Sequence, residues 1–295
     1  MSIVRRAVLL LVFLYPGLAV AAEDAFGLEV LARVRLREIQ KDAAVASAYL
    51  GAGVTVRIKR AADGLVFGET MIVSTGGQKL ASVEGGVYET AALYRFEGGY
   101  HLVVTEYTGG AHCCGQYHVF SRAAGASTWR LVGVSGAENG GPMPAWTVVL
   151  AKDGRLYLRE WDNRFDYFHA CHACSLLGNI GPQYSLIETD RLVPANDAFR
   201  EEYARLAADA DAEIAAGAKR RPKKPGAILG PTDGSGDRPF TDDLGQLLVR
   251  RTIFLVRAGE EEEAWKAFAA DIARFYQTSD GTNLLKREIV ELLRQ

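Results

Sequence analysis

Beyond residue 22 the sequence has no apolar run approaching the roughly 20 residues that a membrane-spanning helix needs. Neither sign of charge dominates: 34 Lys and Arg stand against 36 Asp and Glu, a net charge of −2. That balance argues against nucleic acid as the main partner. The 31 glycines and 9 prolines follow no short period, which excludes a collagen-like or low-complexity fibre. Several chemical signatures are missing too. Ser135-Gly136 lacks the second glycine of a nucleophile elbow, because position 137 is Ala. No Gly-rich loop ends in Gly-Lys-Ser/Thr, so no nucleotide-phosphate cradle is expected. Asp233-Gly234-Ser235-Gly236-Asp237 resembles a calcium loop only at its start, since the twelfth position is Leu244 where a bidentate Glu is required. Cysteine is scarce, at four residues.

What is present is an ordinary globular composition: 48% hydrophobic and 24% charged residues in 295. That supplies enough apolar surface to exclude disorder along the whole chain, and enough length for one large domain or two modest ones. Residues 1–22 read as a secretory signal peptide. Arg5 and Arg6 form a positive start, Ala7 to Tyr15 an apolar stretch, and Pro16-Gly17 a break. Ala19, Ala21 and Ala22 supply a small-residue cleavage site before Glu23-Asp24. Removing this leader takes the net charge from −2 to −4. The expected location is periplasmic or secreted, with no transmembrane segment in the mature chain.

The organisation expected downstream is α+β. Residues 23–50 carry Leu28, Leu31, Val34 and Ile39 at helix-like spacing, which predicts an N-terminal helix. Residues 51–190 change texture and predict an antiparallel β domain: a sandwich, open barrel or partial propeller. Three hairpin signals mark it. Val54–Ile58 and Leu65–Phe67 flank Asp63-Gly64; Ala91–Phe96 and Tyr100–Val104 flank Gly98-Gly99; Thr147–Leu150 and Leu156–Leu158 flank Asp153-Gly154. Such dipeptides tolerate the positive φ of tight turns. Further strands are expected at Tyr117–Phe120, Trp129–Val134 and Tyr184–Ile187. Residues 191–217 predict a helix capped by Asn196 or Asp197, and 218–240 a linker punctuated by Pro222, Pro225, Pro231 and Pro239. Residues 241–295 predict a helical tail, with Glu260–Glu263 opening one helix and Trp265, Phe268, Ile272 and Phe275 on one face.

The unusual feature is where the soft ligands fall. Of four Cys and five His, eight lie in two short windows. The first holds His112, Cys113, Cys114 and His118; the second holds His169, Cys171, His172 and Cys174. Only His101 lies elsewhere. Three readings compete. In an oxidising compartment, an even number of cysteines points to disulfides, with Cys113 and Cys114 each joined to one of Cys171 and Cys174. In the second reading, imidazole and thiolate suit zinc or copper, with His112, His118, His169 and His172 as ligands beside some of the cysteines. In the third, Cys171-His172-Ala173-Cys174 performs thiol–disulfide exchange, since a neighbouring His stabilises a thiolate. Redox pairs of this kind normally open a helix in a βαβ unit, whereas these flanks read as β.

Tyr107-Thr108-Gly109-Gly110-Ala111-His112-Cys113-Cys114 resembles a Gly-Gly-Ala-His-Cys-Cys motif of uncharacterised exported bacterial proteins. It is also distantly similar to β blades of the FG-GAP type, over about residues 85–125 and more loosely over 162–169. The resemblance implies a β-rich extracytoplasmic domain and no established activity. Phe96-Glu97-Gly98-Gly99 stands where the acidic calcium loop of true blades would be, so neither calcium nor a full propeller is implied.

The remaining candidates are weaker. Glu106, Glu160, Asp162 and Asp166 could perform acid–base chemistry, though solvated or salt-bridged acids are commoner at strand ends. The basic run Lys219-Arg220-Arg221-Pro222-Lys223-Lys224 reads as a solvated linker, the alternative in an exported protein being a contact with anionic lipid or polysaccharide. Trp161, Phe165, Tyr167 and Phe168 read as β core, or as the lining of a groove. The sequence therefore predicts an exported non-enzymatic binding or structural module with two disulfides, no cofactor and no catalytic residue. Its partner would be another envelope protein or a polysaccharide. The alternatives are a zinc- or copper-binding protein, and an envelope hydrolase or thiol–disulfide enzyme.

Overall fold

A computed structural model describes residues 29–39, 45–60, 69–96, 98–108, 115–135, 148–150, 153–162, 164–165, 168, 177, 180–220, 243–276 and 280–294. The protein is α+β with antiparallel sheets, as the strand and hairpin signals predict. Its chain divides into two units. One comprises Met1–Tyr107 and Tyr117–Leu131, the other Thr108–Gln116 and Val132–Gln295.

The first unit is a two-sheet sandwich. Strands β1 (Glu29–Arg35), β6 (Val87–Phe96), β7 (Gly99–Tyr107), β8 (Gly115–Ala123) and β9 (Arg130–Ser135) form a sheet in the order β1-β6-β7-β8-β9, and the unit boundary falls within β9, between Leu131 and Val132. Strands β2 (Val45–Gly51), β3 (Val54–Lys59), β4 (Glu69–Thr75) and β5 (Gln78–Gly85) form the other, as an up-and-down meander. Val54, Val56, Ile58, Met71 and Val73 from the second sheet meet Ala91, Leu93, Leu102, Val104 and Phe120 from the first in one core. The alternation along β3 explains the layering: Val54, Val56 and Ile58 are buried while Arg57 and Lys59 are exposed. Each such aliphatic side chain contributes about 1.5–3 kcal/mol through burial.

The N-terminal helix predicted over 23–50 is corrected. In its place are β1, a single turn α1 (Leu36–Ile39) and β2. Leu31 and Val34 are three apart, as on a helix face, but the strand register shifts between Val30 and Ala32, and this irregularity lets Leu31, Ala32 and Val34 all pack against the core. Pairing decides between helix and strand: Val34 lies opposite Ala91, and Arg33 opposite Ala92. The β6–β7 hairpin is the one foreseen, with Gly99 at φ +140. Gly76 and Gly77, at φ +52 and +82, make a tight β4–β5 turn that the sequence reading missed. Asp63-Gly64 and Leu65–Phe67 lie outside the described residues.

The second unit places strands beside helices. β10 (Val148–Leu150), β11 (Leu156–Trp161), β12 (Pro182–Ile187) and β13 (Leu192–Pro194) form an antiparallel sheet in chain order. The β10–β11 hairpin turns at Gly154, φ +76, as expected from Asp153-Gly154. A 3-10 turn (Asn196–Phe199) leads into α2 (Arg200–Arg220), followed by α3 (Asp243–Ala258), α4 (Glu261–Tyr276) and α5 (Asp280–Arg294). The helix predicted over 191–217 thus starts at Arg200, after β13, and runs to Arg220. Asn196 caps nothing there: its Oδ1 accepts hydrogen bonds from the Tyr184 amide and the Tyr203 hydroxyl. Glu261–Glu263 occupy the first turn of α4, where carboxylates suit the positive end of the helix dipole. Trp265, Phe268 and Ile272 are buried in one cluster with Leu248 and Ile253 of α3, and Phe275 is half-buried against it. Phe165 and Phe168 join the same cluster, which settles them as core. The linker from residue 221 lies outside the described residues. Among the described residues no helix is long and apolar enough to cross a membrane.

Candidate functional site

Of the two Cys/His windows, only His118 is described; Cys113, Cys114, Cys171, Cys174, His112, His169 and His172 lie outside the described residues. The structure does show what flanks each window. The first connects β7 to β8, and both strands carry buried polar groups beside it.

Glu106 is on β7 and His118 on β8, both in the first unit. His118 Nε2 lies 2.6 Å from Glu106 Oε2, with both side chains almost wholly buried. Glu106 Oε1 accepts a hydrogen bond from the Gly86 amide at 2.5 Å. Burial pushes the Glu106 carboxyl up, but the bonds from His118 and Gly86 outweigh it and hold the carboxyl below its usual range. His118 Nδ1 has no partner among the described residues. A second buried carboxylate, Glu69 on β4, accepts a hydrogen bond from the Tyr88 amide at 2.9 Å. Both acids therefore grip the short passage from β5 to β6, where the chain leaves one sheet for the other. Tyr88 completes the cluster, donating to the Val83 carbonyl at 3.1 Å. Burial, with Glu106 and Glu69 nearby, drives its phenol far above the usual range.

His101 is also buried. Its ring stacks on Phe96 at 4.5 Å, and neither nitrogen has a partner among the described residues. Burial lowers its pKa to about 4, so it is neutral near pH 7. Arg122 of β8 lies among aromatic rings. Its guanidinium lies 4.5 Å from the Tyr100 ring and 5.2 Å from Trp129, and donates to the Ala52 carbonyl.

In the second unit, β11 carries Glu160, and Asp162 follows directly after the strand. Neither is solvated, at 3% and 0% exposed. Asp162 is salt-bridged, one of the two commoner readings, and Glu160 is neither solvated nor ion-paired among the described residues. Asp162 is paired twice. Arg164 binds it through Nε at 2.8 Å and Nη2 at 2.7 Å, and Arg257 of α3 donates to Asp162 Oδ2. Burial pushes the Asp162 carboxyl up, but the two arginines hold it below its usual range. Arg164 also donates to the Leu292 and Leu293 carbonyls, at 2.9 and 3.3 Å, in the last turn of α5. Those carbonyls have no helical partner of their own, and a cation suits that end of the dipole. Arg257 further reaches the Pro182 carbonyl at 3.3 Å. Asp162 is thus the node that joins β11, β12, α3 and α5.

Glu160 differs. Oε2 accepts a hydrogen bond from Ser135 Oγ at 2.7 Å, while Oε1 is buried without a partner among the described residues. Burial raises its pKa to about 7; the Ser135 bond opposes this and Asp162 adds to it. Asp166 and Tyr167 lie outside the described residues. Among the described residues no three His, Cys, Asp or Glu side chains gather as metal ligands.

Sequence reasoning singled out Glu106, His118, Glu160 and Asp162. It missed Glu69, Tyr88, Ser135, Arg164 and Arg257 as their partners. Gly85-Gly86 was the available signal for the first group, because paired small residues permit a carboxylate to approach the backbone. Nothing local signals Arg257, which reaches Asp162 across 95 residues.

No protein-family model matches the chain, and no solved structure matches it. Over 74 residues the chain is 45% identical to a probable thylakoid lumen protein of Synechocystis sp.. The match covers 25% of this chain and 21% of that protein.

Proposed function

We propose that this chain is an exported, non-enzymatic binding or structural module of the bacterial envelope. Two disulfides stabilise it, each joining Cys113 or Cys114 to Cys171 or Cys174. The observation that carries the export reading is the similarity to a probable thylakoid lumen protein. The leader-like residues 1–22 support it from the sequence side. Export places the cysteines where disulfides persist. The structural reading draws on how the buried acids are used. Glu69 and Glu106 hold backbone amides, and Asp162 holds two arginines, so these carboxylates brace the fold.

The test is the intact mass of periplasm-expressed protein without reductant, in native and denatured form. Loss of four hydrogens with no metal adduct supports the proposal. Free thiols with a zinc or copper adduct in the native spectrum would overturn it and make His112, His118, His169 and His172 a ligand set.

A further inference from the structure

The four-stranded sheet of the first unit has one face in the core, and among the described residues its other face carries exposed and half-buried side chains. This outward face is ordered by the strand registers. Tyr49 lies opposite Thr55, which lies opposite Ser74, which lies opposite Lys79. The next row runs Ser47, Arg57, Ile72, Ser82, and the third Val45, Lys59, Thr70, Glu84. The three rows span about 13 Å along the strands and about 14 Å across them.

Tyr49 is 61% exposed, and the Gly53 amide donates to its hydroxyl at 3.4 Å, which fixes the ring over the β2–β3 turn. Arg57 sits diagonally beside it and Lys59 two residues further along the same strand, both exposed. Arg57, Lys59 and Lys79 form no ion pair among the described residues. Three cations to one anion is a local excess in a chain whose net charge is −2. Like charges on neighbouring positions of one sheet face repel, and an anionic partner relieves that.

We infer that this face, with Tyr49 as a stacking ring and Arg57, Lys59 and Lys79 as cation contacts, binds an anionic polysaccharide bearing carboxylate groups. An exposed aromatic ring presents a flat apolar surface to the C–H face of a sugar. The guanidinium of Arg57 matches a carboxylate with two parallel hydrogen bonds. Ser47 and Ser82, exposed at either end of the Arg57 row, exchange hydrogen bonds with ring hydroxyls. A lipid surface would need apolar side chains to insert, and the outward positions of this face are mainly hydroxyl and basic. Single-stranded nucleic acid would call for successive stacking rings, and this face has one.

The inference extends the binding-module reading, and its test is independent of the thiol count. The full chain is titrated with polygalacturonate, with neutral dextran, with oligothymidylate and with anionic phosphatidylglycerol vesicles. Binding to polygalacturonate alone, weakening at least about tenfold between about 20 and 500 mM salt, is the expected result. Arg57→Glu with Lys59→Glu should weaken it by about tenfold or more, and Tyr49→Ala by about threefold with its salt dependence retained. Lys266→Glu on α4, an exposed change elsewhere, should leave it unaltered. No binding to polygalacturonate overturns the inference. So does equal binding to dextran, oligothymidylate or vesicles, or an equal loss in Lys266→Glu. The salt titration of the unaltered protein decides the matter even where a variant fails to fold.

Discussion

A Cβ added to Gly85 would stand 2.2 Å from Oε1 of Glu106, the oxygen that also receives the Gly86 amide. The carboxylate and a methyl group cannot share that space. Gly85→Ala should therefore destabilise the sandwich by about 1–3 kcal/mol. Urea unfolding measures it. The penalty should shrink in a Glu106→Ala background, because the two changes act on one contact. Additive costs would mean that the penalty does not come from Glu106, leaving the Tyr88 hydroxyl, 2.8 Å from the same Cβ, or the backbone as its source.

Glu160 makes stability depend on pH in an unusual direction. Its folded pKa of about 7 lies above its unfolded value, so the folded state binds the extra proton between about pH 4.5 and 7. Stability from this group is greatest at the acid end of that window and falls as the carboxyl ionises. Glu160→Gln keeps an acceptor for Ser135 and removes the charge. It should stabilise the protein at pH 8 by up to about 3 kcal/mol and change little at pH 4.5. The quantity to measure is the difference between the two proteins across that range. It isolates Glu160 from His101, which acts oppositely: kept neutral with a pKa of about 4, His101 loses its contribution as pH falls below about 6.5.

Asp162→Asn should cost about 3–5 kcal/mol, because Arg257 is buried and loses its countercharge. Arg257→Met should cost a similar amount. The double variant Asp162→Leu, Arg257→Met should recover part of the loss, since apolar groups of similar size replace a buried pair at little net cost. Asp162 is held ionised below its usual pKa, so its contribution is present above about pH 4 and is lost as pH falls through the folded value. Thermal melts of the variants at pH 7 and pH 3 check both statements.

Reduction tests the disulfide proposal in energetic terms. A bridge between the windows closes about 60 residues and contributes roughly 4 kcal/mol through the unfolded chain. Dithiothreitol should lower the urea midpoint accordingly, and Cys171→Ser with Cys174→Ser should reproduce the shift. An unchanged midpoint would count against bridges between the windows.

Legibility followed the range of the interactions. Tyr100–Val104 and Leu156–Leu158 were readable because Gly98-Gly99 and Asp153-Gly154 announce their turns locally. The face of α4 was readable because Trp265, Phe268 and Ile272 repeat at the helical period. Residues 29–39 misled because Leu31 and Val34 are three apart, as on a helix, and only the irregular pairing with β6 places both on the core side of a strand. At the sites, the acids were visible but their surroundings were not. Arg164 is two residues from Asp162 and could be guessed; Arg257 and Ser135 come from other elements. Whether an acid at a strand end is solvated, paired or stranded depends on what packs over it, and no short window of sequence records that.

The arginine that ties Asp162 to the last turn of α5 also sets an order of assembly. Arg164 meets Leu292 across 128 residues. Growth from the N-terminus completes strands β1 to β8 before α5 exists, whereas Arg164, already beside Asp162, gains its two carbonyl acceptors only once α5 has formed and docked.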